Sequence, residues 1–212
     1  MIKGVIFDLD GTILNSLEDL GQSVNRTLKK HNLETYPMKR YNEFVGNGVH
    51  KLVERAFGKD YPKLEEAFET FYTDYSENCT VNSYLYDGIF DVLKKLNELK
   101  IPVAISTNKA QDLTDKIVAH FLSDVDFVDV IGDRFDGLKK PNPHYPLAIM
   151  DKMNLKPEEI LFVGDSNVDM ITANTAGFKA IGVLWGFRSK EELLKHGADQ
   201  VIDDARDILK ML

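Results

Sequence analysis

Short apolar runs recur along the chain at wide spacing: "GVIFDL" (4–9), "PVAIST" (102–107), "FVDVIG" (127–132), "ILFVGD" (160–165) and "KAIGVL" (179–184), with a shorter "QVID" (200–203) near the end. Runs of this length without polar alternation predict strands buried on both faces. Most intervals between them are amphipathic and of helical length. "DVLKKLNELK" and "AQDLTDKIVAHFL" repeat apolar residues three and four apart, which predicts helices with one covered side. Strands alternating with helices predict an α/β fold built on a parallel sheet.

One interval breaks the rhythm. No strand is predicted between "FDLDGTILNS" and "PVAIST". The stretch from Leu17 to Tyr86 reads as helices instead: "SLEDLGQSVNRTLKKHNL" with Ser16 as its cap, then "GVHKLVERAFG" and "KLEEAFETFYTDYSEN". About seventy residues exceed any simple crossover between strands. A helical insert domain over 16–86 is therefore predicted, set into an α/β core made of 1–15 and 87–212. No repeat or low-complexity segment interrupts either part.

Composition narrows the function classes. The 212 residues are 43% hydrophobic and 28% charged, with a formal net charge of −8 and a pI near 5.2. An acidic chain is a poor nucleic-acid binder, which would carry a basic patch; a small anionic metabolite held in a local basic pocket is compatible. The single cysteine, Cys79, excludes an internal disulfide and is expected to be buried. No run approaches the roughly 18 apolar residues of a membrane span, and "MIKGVIFDLD" lacks the pattern of a signal peptide. A cytoplasmic protein without a membrane partner, monomeric or homodimeric, is expected. His31, His50, His120, His144 and His196 fall in separate segments with no metal-ligand spacing and are expected to be surface or capping residues; His50, in the insert, is the one to watch.

The polar groups that could carry chemistry end the apolar runs. Asp8 and Asp10 end the first, Ser106, Thr107 and Asn108 the second, and "GDSNVDM" with Asp165 and Asp169 the fourth. In open parallel sheets ligands bind beyond the carboxyl ends of strands, so four segments deliver polar groups to one edge. Hard carboxylate oxygens at Asp8, Asp10 and Asp165 suit magnesium shared with a phosphate. "LKKPNP" adds lysine, either Lys139 or Lys140, and Thr107 or its neighbour Ser106 adds a hydroxyl. A helix beginning near Lys109 would offer backbone N–H groups to an anion. Acids, cation, hydroxyl and lysine together describe phosphoryl transfer, in which positioning and charge stabilisation do most of the catalysis. Asp165 and Asp169 also suit a helix N-terminus, a role compatible with metal binding.

These motifs resemble the haloacid dehalogenase-like superfamily: "DLDGT" at 8–12, "ST" at 106–107, "KKPNP" at 139–143 and "GDSNVDM" at 164–170 stand in the family's order. The resemblance implies a Rossmann-like sheet of order 3-2-1-4-5 with a small helical cap after the first strand. It implies Asp8 as nucleophile, forming an aspartyl-phosphate, and Asp10 as acid and then base. Lys140, the lysine touching Pro141, joins them in the catalytic set. Gly11, Thr107, Asn108 and Lys140 would bind the phosphoryl group. Magnesium would be held by Asp8, the Asp10 backbone carbonyl, Asp165 and Asp169, the last directly or through water.

The insert is expected to choose the leaving group. In "EFVGNGVHKLVERAFG" (43–58), Gly46, Asn47 and Gly48 permit unusual backbone angles before a helix start, a seat for a small anion. Lys51 and Arg55 follow four apart. "VGNG", "LVERA" and the tail "GVLWGFRSKEELLKHGADQVIDDARDIL" look like bacterial phosphoglycolate phosphatases, which implies a small phosphate monoester bearing a carboxylate, with 2-phosphoglycolate first. A phosphosugar mutase or pyrophosphatase on the same scaffold is the alternative, and a phosphorylated signal-receiver domain the non-enzymatic one. "LYDGI" stands where the family commonly has "YPGV", so Asp87 is expected to loosen the hinge.

Overall fold

The computed structural model describes residues 1–212. In chain order it contains β1 (Gly4–Phe7), β2 (Leu14–Asn15), α1 (Leu17–Lys30), α2 (Tyr41–Phe44), α3 (Val49–Phe57), α4 (Leu64–Asn78), β3 (Tyr84–Leu85), α5 (Ile89–Glu98), β4 (Val103–Ala110), α6 (Gln111–Phe121), β5 (Asp129–Asp133), α7 (His144–Met153), β6 (Ile160–Gly164), α8 (Asn167–Ala176), β7 (Lys179–Val183), α9 (Lys190–Lys195) and β8 (Gln200–Ile202). Six strands form one sheet in the order β5-β4-β1-β6-β7-β8, and every pairing in it is parallel. The five long apolar runs thus lie in the order 3-2-1-4-5, and the short "QVID" run extends the sheet at one edge.

Alternation along each strand divides the interior. Val5 and Phe7 of β1, Val103 and Ile105 of β4, Leu161 and Val163 of β6, and Ile181 and Val183 of β7 join an apolar cluster of 38 buried residues. Their neighbours Ile6, Ala104, Ile160, Phe162 and Ala180 join a second cluster of 12 on the other face. Because successive side chains point to opposite faces, only strands apolar at every position can feed two cores at once.

The chain leaves β1 for β4 and β5 on one side, then returns past β1 to place β6, β7 and β8 on the other. The carboxyl end of β1 is therefore the switch point of the sheet, the expected seat of a ligand.

The 17–78 segment is helical and lies between β2 and β3. These two strands pair antiparallel, Leu14 with Leu85 and Asn15 with Tyr84. This two-residue ribbon is absent from the sequence prediction, since two residues are too few to show a period. α1 buries Leu20, Val24 and Leu28, one face at a spacing of four, and α4 buries Ala67, Phe71 and Tyr75. Arg26 binds Asp74 at 2.6 Å, and Asp19 accepts from the Ser83 backbone N–H at 2.8 Å, so the two helices run antiparallel. The large apolar cluster continues from the sheet into these helices through Tyr41, Leu52 and Phe71.

Candidate active site

Asp8 follows β1 directly and is buried. Its Oδ1 accepts from the Leu9 backbone N–H at 2.7 Å and lies 2.9 Å from Lys140 Nζ. Lys140 is also buried, and Nζ donates to Asp169 Oδ1 at 2.6 Å. Asp169 Oδ2 accepts from the backbone N–H and Oγ of Ser166, closing a reciprocal cap at the start of α8. Both oxygens of Asp169 thus have partners, and its visible task is to hold Lys140 beside Asp8. Of the tandem lysines, Lys140 enters the site, while Lys139 pairs with Asp133 at 3.3 Å.

Asp165, at the end of β6, accepts from the Phe187 backbone N–H at 2.7 Å. Carboxylate oxygens of Asp8, Asp165 and Asp169 all lie within 4.8 Å of one another. Burial, with repulsion from Asp169, pushes Asp8 up to about 7 against the pull of Lys140. Burial together with Asp169 and Asp8 pushes Asp165 well above the usual carboxylate range. Burial pulls Lys140 down, but Asp169 and Asp8 outweigh it and hold the ammonium above its ordinary value. Three buried carboxylates against one ammonium leave excess negative charge, and hard oxygen donors of this kind suit a divalent cation. The donor set fits the metal that the sequence implies.

Backbone shape permits this crowding. Gly11 has φ +86°, and a Cβ there would sit 2.3 Å from Asp165 Oδ2; at Gly186 it would sit 2.3 Å from Asp165 Cβ and 2.5 Å from the Gly11 carbonyl oxygen. Gly11 thus gives clearance to Asp165, and its backbone N–H donates to the Leu14 carbonyl at 2.8 Å.

Asp10 turns away from the acid cluster. Lys109 Nζ donates to its Oδ1 and Oδ2 at 3.0 and 2.9 Å, and Ser16 Oγ donates to Oδ1 at 2.6 Å. Ser16 precedes α1 without making a side-chain cap bond; its hydroxyl serves Asp10 instead. Lys109 Nζ also donates to the Tyr75 hydroxyl at 2.8 Å. Burial pulls Lys109 down, yet Asp10 and Tyr75 hold it above its ordinary value. The sequence pointed to Lys109 only as a helix start, and to Tyr75 not at all. Lys109 lies near the end of β4 and α6 starts two residues on at Gln111, so the helix begins near Lys109 as expected, while the lysine itself acts through its side chain. Tyr75 sits on an apolar helical face where nothing local separates it from a core aromatic.

Asp8, Asp10, Thr107, Asn108, Lys109, Lys140, Ser166 and Asp169 line one cavity together with Leu20, Val45, Gly46, Gly48, Val49, Leu52 and Val168. Thr107, and not Ser106, lines it. Asn108 Nδ2 donates to the Lys140 carbonyl at 2.9 Å, while its buried Oδ1 has no partner. Its side chain braces the lysine loop.

Asn47 does not line the cavity. Its Oδ1 accepts from Arg55 Nη2 at 2.6 Å, and Arg55 Nη1 donates to the Phe44 carbonyl at 2.8 Å. Lys51 binds Glu54 at 2.8 Å and faces solvent. Neither basic residue of α3 points into the site. Arg188, absent from the sequence expectations, donates to the carbonyls of Asn42 and Val45 at 2.8 and 2.6 Å, fastening the 42–48 loop to the segment after β7. His50 stacks on Phe68 at 3.6 Å between ring centroids, outside the cavity lining. Asp87 is exposed at the surface, 3.1 Å from Arg206.

Residues 5–183 match the model of the haloacid dehalogenase-like hydrolase family. The chain belongs to the haloacid dehalogenase-like hydrolases. Among curated relatives of this hydrolase, a phosphoglycolate phosphatase of Haemophilus influenzae (strain 86-028NP) is 33% identical, over 99% of this chain and 98% of the relative. One from Photobacterium profundum is 31% identical, over 100% and 96%. The crystal structure of a predicted phosphoglycolate phosphatase from Haemophilus somnus 129pt superposes with a TM-score of 0.92 at 31% identity, covering 99% of this hydrolase and 97% of that chain. No helix of the hydrolase is long and apolar enough to cross a membrane.

Proposed function

We propose that this hydrolase is a magnesium-dependent phosphatase acting on a small phosphate monoester that carries a carboxylate, 2-phosphoglycolate first, through an aspartyl-phosphate on Asp8. The observation that carries this reading is the meeting of Asp8, Asp10, Thr107 and Lys140 in one cavity. Asp8 Oδ1 is held by the Leu9 N–H and Lys140, leaving Oδ2 to attack phosphorus as the ester oxygen departs. Asp10 protonates that oxygen and later takes a proton from the attacking water. Lys140 and the Thr107 hydroxyl bind phosphoryl oxygens. Asp8, the Asp10 carbonyl, Asp165 and Asp169 would hold a divalent ion, which would supply charge neutralisation to the nucleophile and the phosphoryl group. Residues 16–86 act as the cap, and the free N–H groups at the start of α3, beside Gly46 and Gly48, suit the substrate carboxylate.

The only cations lining the cavity are Lys109 and Lys140. Neither comes from the cap, and Lys51 and Arg55 are engaged elsewhere. A mutase or pyrophosphatase needs a second phosphate seat, and the cap brings no cation into the cavity to form one. The test is phosphate release, with magnesium, from a panel of 2-phosphoglycolate, a hexose 1-phosphate and pyrophosphate. The highest kcat/KM is expected for 2-phosphoglycolate; a hexose 6-phosphate product or preferred pyrophosphate cleavage would overturn the substrate assignment. Asp8→Asn is expected to abolish turnover while leaving Tm within a few degrees, and near-normal activity in that variant would remove Asp8 as nucleophile.

A further inference from the structure

Lys109 is the one charged side chain of the site that the proposed chemistry does not use. Its side chain is 1% exposed, so its charge is fully desolvated, an arrangement that persists only with close partners. Those partners come from two other parts of the molecule. Asp10, ninety-nine residues earlier, meets it with both carboxylate oxygens. Tyr75, thirty-four residues earlier on α4, accepts from it through a hydroxyl that is itself fully buried. The ammonium also lies 4.9 Å from the centre of the Tyr75 ring. α4 is seated on α6 alongside: the Tyr72 hydroxyl donates to Asp112, and Lys116 donates to the Ser76 carbonyl.

We infer that Tyr75 and Lys109 are positioning residues for Asp10. Lys109 fixes the Asp10 carboxylate in one rotamer, and Tyr75 fixes the ammonium that does so. Ser16 braces the same carboxylate through a second hydrogen bond, at 2.6 Å. The helical insert therefore reaches the proton-handling acid through α4, as well as covering the cavity through the 42–48 loop. A positioned acid contributes only where a proton must be delivered to the leaving oxygen. The inference rests on the reading of Asp10 as that acid.

Tyr75→Phe keeps the ring and removes the acceptor. Expected is a fall in kcat of about tenfold for 2-phosphoglycolate, whose alkoxide leaving group needs a proton, with KM changed less than about twofold. For p-nitrophenyl phosphate, whose leaving group departs unaided, the fall should be less than about threefold. Lys109→Met should show the same leaving-group dependence, and the double variant should lose no more than Lys109→Met alone, because Tyr75 acts through Lys109. Asp10→Asn, measured alongside, separates the two readings. If Asp10→Asn harms both esters equally, the acid assignment fails. If Asp10→Asn discriminates between them and Tyr75→Phe, with Tm retained, harms both equally or neither, the positioning role is overturned. Should Tyr75→Phe unfold, Lys109→Met carries the same comparison by itself.

Discussion

Two carboxylates two residues apart have opposite surroundings. Asp8 faces Asp165, Asp169 and Lys140 in a buried cluster, whereas Asp10 faces Lys109 and Ser16. Buried Leu9 stands between them, and the turn at Gly11 that follows lets Asp165 approach. A methyl group at Gly11 would collide with Asp165 Oδ2 and would sit on a backbone at φ +86°, where side chains are disfavoured. Gly11→Ala is accordingly expected to weaken magnesium affinity by about 10–100-fold, the usual effect of disturbing a ligand's support. The check is the magnesium concentration giving half-maximal activity, with Tm in excess chelator confirming the fold. An unchanged magnesium requirement would show that Asp165 accommodates the methyl group without loss.

At the scale of elements, the helical insert is tied to its return path by one buried acid. Asp19 of α1 accepts from the Asn82 backbone N–H, the Asn82 side chain, and the backbone N–H and hydroxyl of Ser83. These residues lead into β3, whose pairing with β2 closes the base of the insert. Asp19→Ala strands buried donors, a change that costs about 2–3 kcal/mol, or roughly a 5–10 °C fall in Tm for a chain of this size. Differential scanning calorimetry measures it, and a fall under about 2 °C would mean that water replaces the carboxylate. The apolar periodicity of α1, α3 and α4 made these helices legible. The ribbon they spring from was not, because its pairing joins residues about seventy positions apart. Lys51 and Arg55 show the same limit: their spacing on α3 is visible in the sequence, but the partners that occupy them are a neighbouring glutamate and the carbonyls of a preceding loop.

The charge of the site is a property of the whole molecule, since β1, β6, α8 and the loop before α7 each contribute one group to it. Burial holds Asp8 at about 7 and Asp165 well above its ordinary value. A carboxyl whose folded pKa exceeds its unfolded value of roughly 3.9 carries more protons in the folded state between those two values. Stability from this site therefore falls as pH rises through that window. In excess chelator, Tm is expected to decline from about pH 4.5 to 7.5, and the Tm gain on adding magnesium should widen over the same interval. A magnesium-induced gain that stays flat across that range would contradict the charge balance drawn for the site.

The α/β class, the helical insert and the acids at strand ends were determined by the sequence alone, because each is written in local pattern: apolar runs, helical periodicity, and polar residues closing a run. The family motifs extend that reading to Asp8, Asp10, Thr107, Lys140, Asp165 and Asp169, all of which the fold gathers near one end of the sheet. Only the tertiary structure decided which partners those groups have. It gave Lys140 to Asp8 and Asp169, Lys109 to Asp10 and Tyr75, Ser16 to Asp10 in place of a helix cap, and Arg55 to the loop that was expected to seat a substrate. A carboxylate's partner is set by distance across the fold, and Lys109, which meets Tyr75 34 positions away and Asp10 99 positions away, leaves no trace of those meetings in the order of the chain.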